Sequence, residues 1–287
     1  MRKETKEMLK RASIIDDHVH LSVHAKSRAK IEELDRSMVE NSIDAVIALA
    51  AYFPRKTGSI TNEQILSLTK NYDNIVVFGS LDAENNLQKG VLELGKLLTE
   101  DRIVGIKLYP GYQFVYPNDK KLDEVYELAA KFGVPVMFHS GLAYKSPGGI
   151  RFSRPIYFDD VADKFPELKM IISHLGDPDI RQATAVAHKN PNVYLDFSGL
   201  VSNTTKNQER SEKWKRKNEE YITETIANVM IDLMGTEKII FGTDWPISSH
   251  KAYLSLVDSL EERLDLDSKE KEQILAGNIL KVLGVKK

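Results

Sequence analysis

The sequence predicts an α/β protein of the (β/α)8 TIM-barrel class, and three observations support this prediction. Eight short apolar segments recur at a mean spacing of about 30 residues, as expected of strands. Helical patterns separate them, and strands that alternate with helices pair in parallel through right-handed crossovers. The length of 287 residues suits one barrel, so we expect a single domain over residues 1–287. The alternative is an open doubly wound sheet, which usually has fewer strands and a glycine-rich turn after the first.

The predicted strands are mostly apolar, and the run at 44–50 is continuous, as expected of a strand buried on both faces. In chain order we expect strands at residues 14–21, 44–50, 75–81, 103–109, 134–139, 168–174, 193–197 and 238–244. Each is followed by a helical pattern or by the closing segment, which is the rhythm of a barrel.

The predicted helices carry apolar residues at three- and four-residue spacing, which places those residues on one face. In chain order we expect helices at residues 31–39, 61–72, 87–98, 122–132, 158–165, 180–188, 221–234 and 252–260, with two closing helices within 268–283. The connections 141–155 and 199–212 are longer than a barrel needs. Both follow strands and therefore lie on the face where barrel active sites form.

The composition excludes several classes of function. A net charge of −2 gives no general attraction to nucleic acid or to an anionic membrane, and we interpret the lysine-rich run at 213–217 as a solvated helix face. The absence of cysteine excludes disulfides, thiolate metal ligands and cysteine nucleophiles. No apolar targeting segment or membrane-length run is present. We expect a cytoplasmic protein with a small-molecule substrate, and a homo-oligomer remains open.

The first predicted strand carries the motif Ile15-Asp16-Asp17-His18-Val19-His20. Strand alternation predicts that Asp16, His18 and His20 share one face while Asp17 and Val19 point to the other. Same-face neighbours rise by roughly 6.5 Å, which is close enough for two tilted imidazoles to bind one ion. The motif alone leaves two readings open, a metal site or two polar histidines at a strand end, because His-x-His arises by chance in about one such chain in six.

Ionisable residues recur at or near the carboxyl ends of the other predicted strands, and a barrel gathers those ends into one bowl. These residues are His18, His20, Lys107, His139, His174, Asp196 and Asp244. An ionisable group on a buried strand is costly unless it is paired or binds a metal, so their shared position predicts a functional site. The remaining histidines, His24, His188 and His250, lie in predicted loops or helices, and we expect no functional role for them.

Histidine nitrogens with a carboxylate oxygen form a donor set that suits a divalent ion, most of all Zn²⁺. Three or four protein ligands leave a position for water, whose pKa falls to about 7. A histidine outside the coordination sphere can then act as general base or acid.

The chain resembles the amidohydrolase superfamily, specifically the amidohydrolase-related branch that includes 2-amino-3-carboxymuconate-6-semialdehyde decarboxylase. The motifs that carry the resemblance are Ile15-Asp16-Asp17-His18-Val19-His20, Gly105-Ile106-Lys107-Leu108-Tyr109-Pro110, Pro135-Val136-Met137-Phe138-His139, Ile172-Ser173-His174-Leu175-Gly176, Phe241-Gly242-Thr243-Asp244-Trp245-Pro246 and Gly277-Asn278-Ile279-Leu280-Lys281-Val282-Leu283-Gly284. The resemblance implies a barrel with one metal ion and a water-activating or proton-handling His174. The metal ligands that it implies are His18, His20, His139 and Asp244.

The resemblance leaves the reaction open. Hydrolysis of a C–N or C–O bond is our first prediction, and non-oxidative decarboxylation by the same residues is the alternative. A deoxyribonuclease of the TatD type shares His-x-His and a late Thr-Asp, but such enzymes carry Glu on the fourth strand, where this chain has Lys107. A metal-free binding barrel would lack the full ligand set.

Substrate contacts are predicted from charge and position. The basic residues Lys145, Arg151 and Arg154 near the mouth favour a carboxylate-bearing substrate, although exposed loop charges are solvated by default. Lys107 and Tyr109 are expected to face the bowl. An ammonium group near a metal ion needs compensation. Either Lys107 is carboxylated and bridges two ions, with His139 and His174 on the second, or it stays cationic and receives a substrate carboxylate or pairs with Asp196. We favour the cationic lysine and one metal.

Overall fold

The computed structural model describes residues 1–21, 27–55, 58–143, 148–201 and 209–286, and for residues 27–29 the backbone alone. Within this part of the chain, eight parallel strands form one sheet in chain order, which confirms the predicted fold class. The strands are β1 (Ile15–Val19), β2 (Ala45–Leu49), β3 (Ile75–Ser80), β4 (Gly105–Leu108), β5 (Val136–Phe138), β6 (Met170–Ile172), β7 (Val193–Asp196) and β8 (Ile239–Ile240).

Backbone hydrogen bonds between the first and last strand regions bring the two edges of the sheet together. The amide of Asp17 donates to the carbonyl of Phe241 at 3.1 Å, and the amide of Asp244 donates to the carbonyl of His18 at 2.8 Å. These bonds place the two segments that carry His18 and Asp244 side by side. The architecture is a nearly closed TIM barrel.

Helices follow the strands as the periodicity predicts. The α-helices lie at Lys3–Arg11, Ser27–Glu40, Asn62–Thr69, Leu87–Thr99, Pro110–Gln113, Asp123–Phe132, Ile156–Lys164, Ile180–Lys189, Glu212–Leu233, His250–Leu264, Ser268–Glu272 and Asn278–Val282. Short 3-10 turns lie at Lys120–Leu122, Ile150–Ser153 and Ser173–Gly176, and a π-helical turn at Gln273–Gly277 joins the two closing helices. No helix in the described ranges has the length and apolar character needed to cross a membrane.

The helix that carries the predicted apolar segment 221–234 begins nine residues before it and includes the run at 213–217, as expected of a solvated helix face. Its apolar periodicity is expected from residue 221, whereas the helix starts at Glu212. Ser211 explains the difference, because its side chain accepts a hydrogen bond from the amide of Trp214 and caps the first turn. The added turns are polar and mostly exposed, so they leave no apolar stripe in the sequence.

The apolar core has an inner and an outer part, as the strand alternation of a barrel requires. The inner cluster contains Ile47, Phe78, Met137 and Ile171 and is closed at one end by side chains of the first helix and of the closing helices. The outer cluster joins the alternate strand residues to the surrounding helices. Because all eight strands are parallel, their carboxyl ends meet on the opposite face from this closed end.

The predicted alternation along β1 is wrong in one respect. Ile15 belongs to the inner cluster and Val19 to the outer one, although residues four apart on a regular strand share a face. The pairing of β1 with β2 shifts register between Asp16 and Val19, which explains the switch. Asp16 therefore does not share the face of His18 and His20; its carboxylate instead contacts Thr243 and His250.

Candidate metal centre

Three predicted ligands converge at the carboxyl ends of β1 and β8. His18, His20 and Asp244 each offer one donor atom, and these atoms lie within 4.8 Å of one another. Asp244 Oδ1 lies 3.3 Å from His20 Nε2 and 3.7 Å from His18 Nε2. His18 and Asp244 are buried, whereas His20 is partly exposed at the open side of the bowl. His18 lies within the register shift of β1, His20 comes directly after that strand, and Asp244 lies four residues beyond the end of β8.

Two features of this group fit a metal ion. The Nε2 atom of His18 is fully buried and has no hydrogen-bond partner among the described groups, although a buried ring nitrogen without a partner is costly. Burial also raises the pKa of Asp244 well above its ordinary value, and Lys107 only partly opposes this. A divalent cation would satisfy His18 Nε2 and stabilise the ionised form of Asp244, so the donors present suit the group that the fold implies.

Asp196, at the end of β7, holds His18 in the tautomer that a metal requires. Its Oδ2 lies 3.0 Å from His18 Nδ1, and both side chains are fully buried. We assign the proton to Nδ1, which donates to the carboxylate and leaves the lone pair of Nε2 directed at Asp244. Burial alone would raise the pKa of Asp196, but His18, His174 and Lys107 together hold it below its ordinary value. Asp196 is therefore ionised.

Asp196 also connects this group to His174. Its Oδ1 accepts hydrogen bonds from the backbone amides of His174, at 3.0 Å, and Ser198, at 2.9 Å. The hydroxyl of Ser198 donates to the same oxygen, and its own oxygen lies 3.0 Å from His18 Nδ1 and 2.9 Å from His174 Nδ1. One carboxylate thus holds the His18 imidazole directly and the His174 backbone beside it, and His18, His174 and Asp196 form a second group with metal-binding geometry.

His139 and His174 face each other across 3.1 Å, from His139 Nδ1 to His174 Nε2. The carbonyl of Ser198 lies 3.0 Å from His174 Nδ1, and the carbonyl of Leu142 lies 3.2 Å from His139 Nε2. If each of those outer nitrogens donates to its carbonyl, the two inner lone pairs point at each other, an arrangement that a cation between them would relieve. His139 does not join the group of His18, His20 and Asp244, so its role as the fourth ligand stays a prediction.

The buried imidazoles are neutral near pH 7. Burial, aided by Lys107, lowers the pKa of His18 to about 3. Burial also lowers the pKa of His174 to about 4, although Asp196 opposes the shift. For His139 the pKa falls well below its ordinary value, again because of burial and then because of His174. Neutral imidazole is the form that binds metal ions and accepts protons.

The backbone at the site is strained in a way that sequence does not reveal. His174 has φ 60° and Asp244 has φ 66°, in the left-handed region that side chains with a Cβ rarely adopt. Such conformations cost of order 1–3 kcal/mol each and tend to occur at functional sites. Gly199 (φ 72°) packs against both residues: a Cβ there would lie 2.8 Å from His174 Nδ1 and 3.2 Å from Asp244 Oδ2.

Lys107 lies in the bowl, as its strand position predicts. Its ammonium group is fully buried, donates to Ser173 Oγ at 2.8 Å and lies 5.5 Å from the centre of the Tyr109 ring. Burial lowers its pKa to about 8, although Asp196, Asp244 and Asp17 oppose the shift. Tyr109 is also buried, but its hydroxyl donates to the carbonyl of Ala50 at 2.9 Å, so its ring is the part that faces His20 and His139.

The structure does not bring the two predicted arginines into this group. Arg154 Nε lies 3.1 Å from Asp179 Oδ2, and the guanidinium of the exposed Arg151 stacks on Phe152 at 4.6 Å from the ring centre. Their contact with substrate stays a prediction. Lys145 and His24 lie outside the described residues.

Sequence reasoning missed Ser198 and His250. Ser198 lies two residues beyond Asp196, and a polar residue that follows a strand end was the available signal. His250 has 0% exposed surface, yet it lies on a helix that packs outside the barrel, where no periodicity predicts a partner for it.

Comparison with known proteins agrees with this geometry. A family model described as amidohydrolase matches residues 15–285. No curated protein matches the chain in sequence. A TIM-barrel protein from Bordetella bronchiseptica superposes with TM-score 0.69 at 20% identity, covering 94% of this chain and 98% of its own.

Two further solved structures contain metal ions. A Burkholderia multivorans amidohydrolase with bound zinc has TM-score 0.68 and 16% identity, with 95% of this chain and 99% of that one covered. A dihydroxybenzoic acid decarboxylase from Polaromonas sp. JS666, with bound manganese and 2-nitroresorcinol, has TM-score 0.67 and 15% identity, with coverages of 96% and 97%. These likenesses show the fold.

Proposed function

Because the chain belongs to the amidohydrolase family, we propose that it is a metal-dependent hydrolase acting on a C–N or C–O bond of a small, carboxylate-bearing substrate. The observation that carries this proposal is the convergence of His18 Nε2, His20 Nε2 and Asp244 Oδ1, with the first atom buried and without a partner among the described groups. We propose that these three residues, with His139, hold one divalent ion, and that the ion is Zn²⁺.

The proposed roles follow from the position of each group. A divalent metal held by these residues would supply an activated water molecule and would polarise the bond under attack. His174 accepts the proton at Nε2, because its Nδ1 donates to the carbonyl of Ser198 and its neutral form prevails above about pH 4. Asp244 has two oxygens, so one can bind the metal while the other orients water. Asp196 stays ionised and stabilises the positive charge that His174 gains, because the nearby carboxylate acts to raise the pKa of the imidazole.

Lys107 is the group that we propose for the substrate carboxylate. Its positive charge acts on the convergent ligands, since it favours a lower pKa for His18, His174 and Asp244. Among the described residues, its ammonium group donates only to Ser173, which leaves donors for an anion. Arg154 is engaged with Asp179 and Arg151 is exposed, so we propose for them a weaker role at the mouth. Tyr109 would contribute its ring face.

Non-oxidative decarboxylation is the second candidate. One of the superposed structures is a decarboxylase, and the same residues would bind its substrate. Lys107 is as consistent with decarboxylation as with hydrolysis. A buried ammonium group could bind a substrate carboxylate that takes no part in the reaction, as in hydrolysis, or the carboxylate that leaves as carbon dioxide. The two reactions differ in product, so one assay separates them.

The decisive experiment begins with metal analysis of the purified protein. Wild type should carry close to one equivalent of divalent metal, whereas His18→Ala and Asp244→Ala should carry little, and the exposed His188→Ala is the matched control. A panel of aromatic and aliphatic carboxylates, lactones and amides is then read for both carbon dioxide and hydrolysis products. Undiminished metal in both variants would contradict the ligand assignment, and two zinc ions with a carboxylated Lys107 in a native mass spectrum would contradict the one-metal proposal.

A further inference from the structure

A second buried polar group lies on the outer side of the barrel wall, behind the candidate metal centre. It consists of Asp16 on β1, Thr243 after β8, His250 at the start of helix His250–Leu264 and Ser37 on helix Ser27–Glu40. Asp16, Thr243 and His250 are fully buried, and Ser37 is half-buried. None of these side chains belongs to the groups with metal-binding geometry found in the described residues.

Asp16 ties together the two chain segments that carry the proposed ligands. Its Oδ1 accepts from the backbone amides of His18, at 2.9 Å, and Thr243, at 3.0 Å. Its Oδ2 accepts from Thr243 Oγ1 at 2.5 Å. Thr243 immediately precedes Asp244, and its hydroxyl oxygen in turn accepts from the amide of Trp245 at 3.0 Å. The carboxylate therefore fixes the backbone beside His18 and on both sides of Asp244.

His250 is in position to hold the Asp16 carboxylate in place. Its Nε2 lies 3.1 Å from Asp16 Oδ2, at ion-pair distance although the angle is not that of a hydrogen bond, and its Nδ1 lies 2.8 Å from Ser37 Oγ. A hydroxyl can donate to Nδ1, which leaves the proton on Nε2, where it faces the carboxylate. The chain of contacts runs from a surface helix through His250 and Asp16 to the backbone of two proposed ligands.

Satisfying the buried Asp16 carboxylate does not by itself require the contact with His250. A buried carboxylate needs donors, but the backbone amides and Thr243 already supply three. The contribution of His250 is instead to the orientation of the carboxylate, because it contacts Oδ2, the oxygen that accepts from the hydroxyl of Thr243. Residues that orient metal ligands in this way typically change metal affinity by 10–100-fold when they are replaced.

We propose that His250 is a positioning residue of the metal centre: acting through Asp16, it sets the spacing of His18 and Asp244 and so the affinity and coordination geometry of the metal. The inference rests on the proposed metal-dependent function, and it assigns a role to a histidine that touches neither metal nor substrate. Ser37 has the accessory role of fixing the tautomer of His250.

The test compares His250→Leu, which removes the contact with Asp16, with His250→Gln, which keeps an N–H donor. The measurements are Zn²⁺ affinity by competition with a chelator, the visible absorption spectrum of the Co²⁺-loaded protein and the melting temperature of the metal-free protein. His250→Leu should bind Zn²⁺ roughly 10–100-fold more weakly and change the Co²⁺ spectrum, and His250→Gln should restore most of both. The exposed His188→Gln is the matched control and should match wild type.

The outcomes separate positioning from bulk stability. A lowered melting temperature with unchanged Zn²⁺ affinity and Co²⁺ spectrum would overturn the proposal. If His250→Leu does not fold, Ser37→Ala decides, because it should shift the Co²⁺ spectrum, and a spectrum identical to that of wild type overturns the inference. Wild-type protein that binds neither ion would defeat the proposed function as well, whereas wild-type binding with unaffected variants defeats this inference alone.

Discussion

His18 Nδ1 lies 3.0 Å from Asp196 Oδ2, and the partner nitrogen of the same ring is the buried Nε2 that faces Asp244. The carboxylate therefore decides which nitrogen carries the proton. Asp196 comes from β7 and His18 from β1, so the orientation of one proposed ligand depends on a strand that supplies no ligand to that group.

Asp196→Asn should weaken Zn²⁺ binding by roughly 10–100-fold, because an amide cannot hold the His18 ring in one tautomer as a carboxylate does. Chelator competition on the purified variant measures the loss. Asp179→Asn is a suitable control, since it alters a carboxylate that pairs with Arg154 outside the site. Equal Zn²⁺ affinity in wild type and Asp196→Asn would mean that His18 is oriented by other contacts.

The barrel itself could be predicted because its signal is periodic. Each buried strand is a short apolar run, and the helices repeat their apolar residues at three- and four-residue spacing, so both period and order are visible without a structure. The positions of His18, His139, His174 and Asp244 at strand ends follow from the same rhythm, because parallel strands end on one face.

The features that the sequence does not predict depend on contacts between residues that are distant in the chain. The register shift within β1 moves Asp16 to the outer side, and no local pattern distinguishes it from regular alternation. Asp16, which His250 contacts, lies 234 positions earlier in the sequence. The pairing of Arg154 with Asp179 likewise arises from the packing of a loop on a helix, so a loop charge that sequence leaves solvated proves to be engaged.

His174→Ala should keep most of its metal while turnover falls by roughly 10²–10⁴-fold. The reason is that the His174 ring lies beside His139 and Ser198, outside the group formed by His18, His20 and Asp244. Metal content and turnover are measured on the same preparation. A loss of metal large enough to account for the lost activity would instead make His174 a ligand.

Lys107→Met should change how the stability of the metal-free protein depends on pH. The pKa of Lys107 is lowered to about 8 in the folded state by burial, whereas the unfolded chain has the ordinary value near 10.5. Between these values the unfolded chain binds more protons, so wild-type stability rises with pH relative to the variant. The free energy of unfolding of wild type should rise by up to about 3 kcal/mol relative to the variant as the pH increases from about 8 to 10.5.

Urea unfolding of both proteins at pH 7.5 and 10.5 measures this difference. At pH 7.5 the buried ammonium group opposes folding in wild type, and Lys107→Met should be the more stable protein. A difference between the two proteins that stays constant over the window would show that Lys107 keeps its ordinary pKa, which would point to an anionic partner beside it.

Gly199→Ala should disturb the metal centre without replacing any proposed ligand. The new Cβ would lie 2.8 Å from His174 Nδ1, so the imidazole must move away from the carbonyl of Ser198. The positive φ adds about 1–2 kcal/mol of backbone strain. Gly133→Ala is the matched control, because Gly133 has a similar φ of 64° and open space where its Cβ would be. Both variants should lose stability to strain, but only Gly199→Ala should also lose turnover per bound metal; equal turnover in the two would contradict the tight packing at His174.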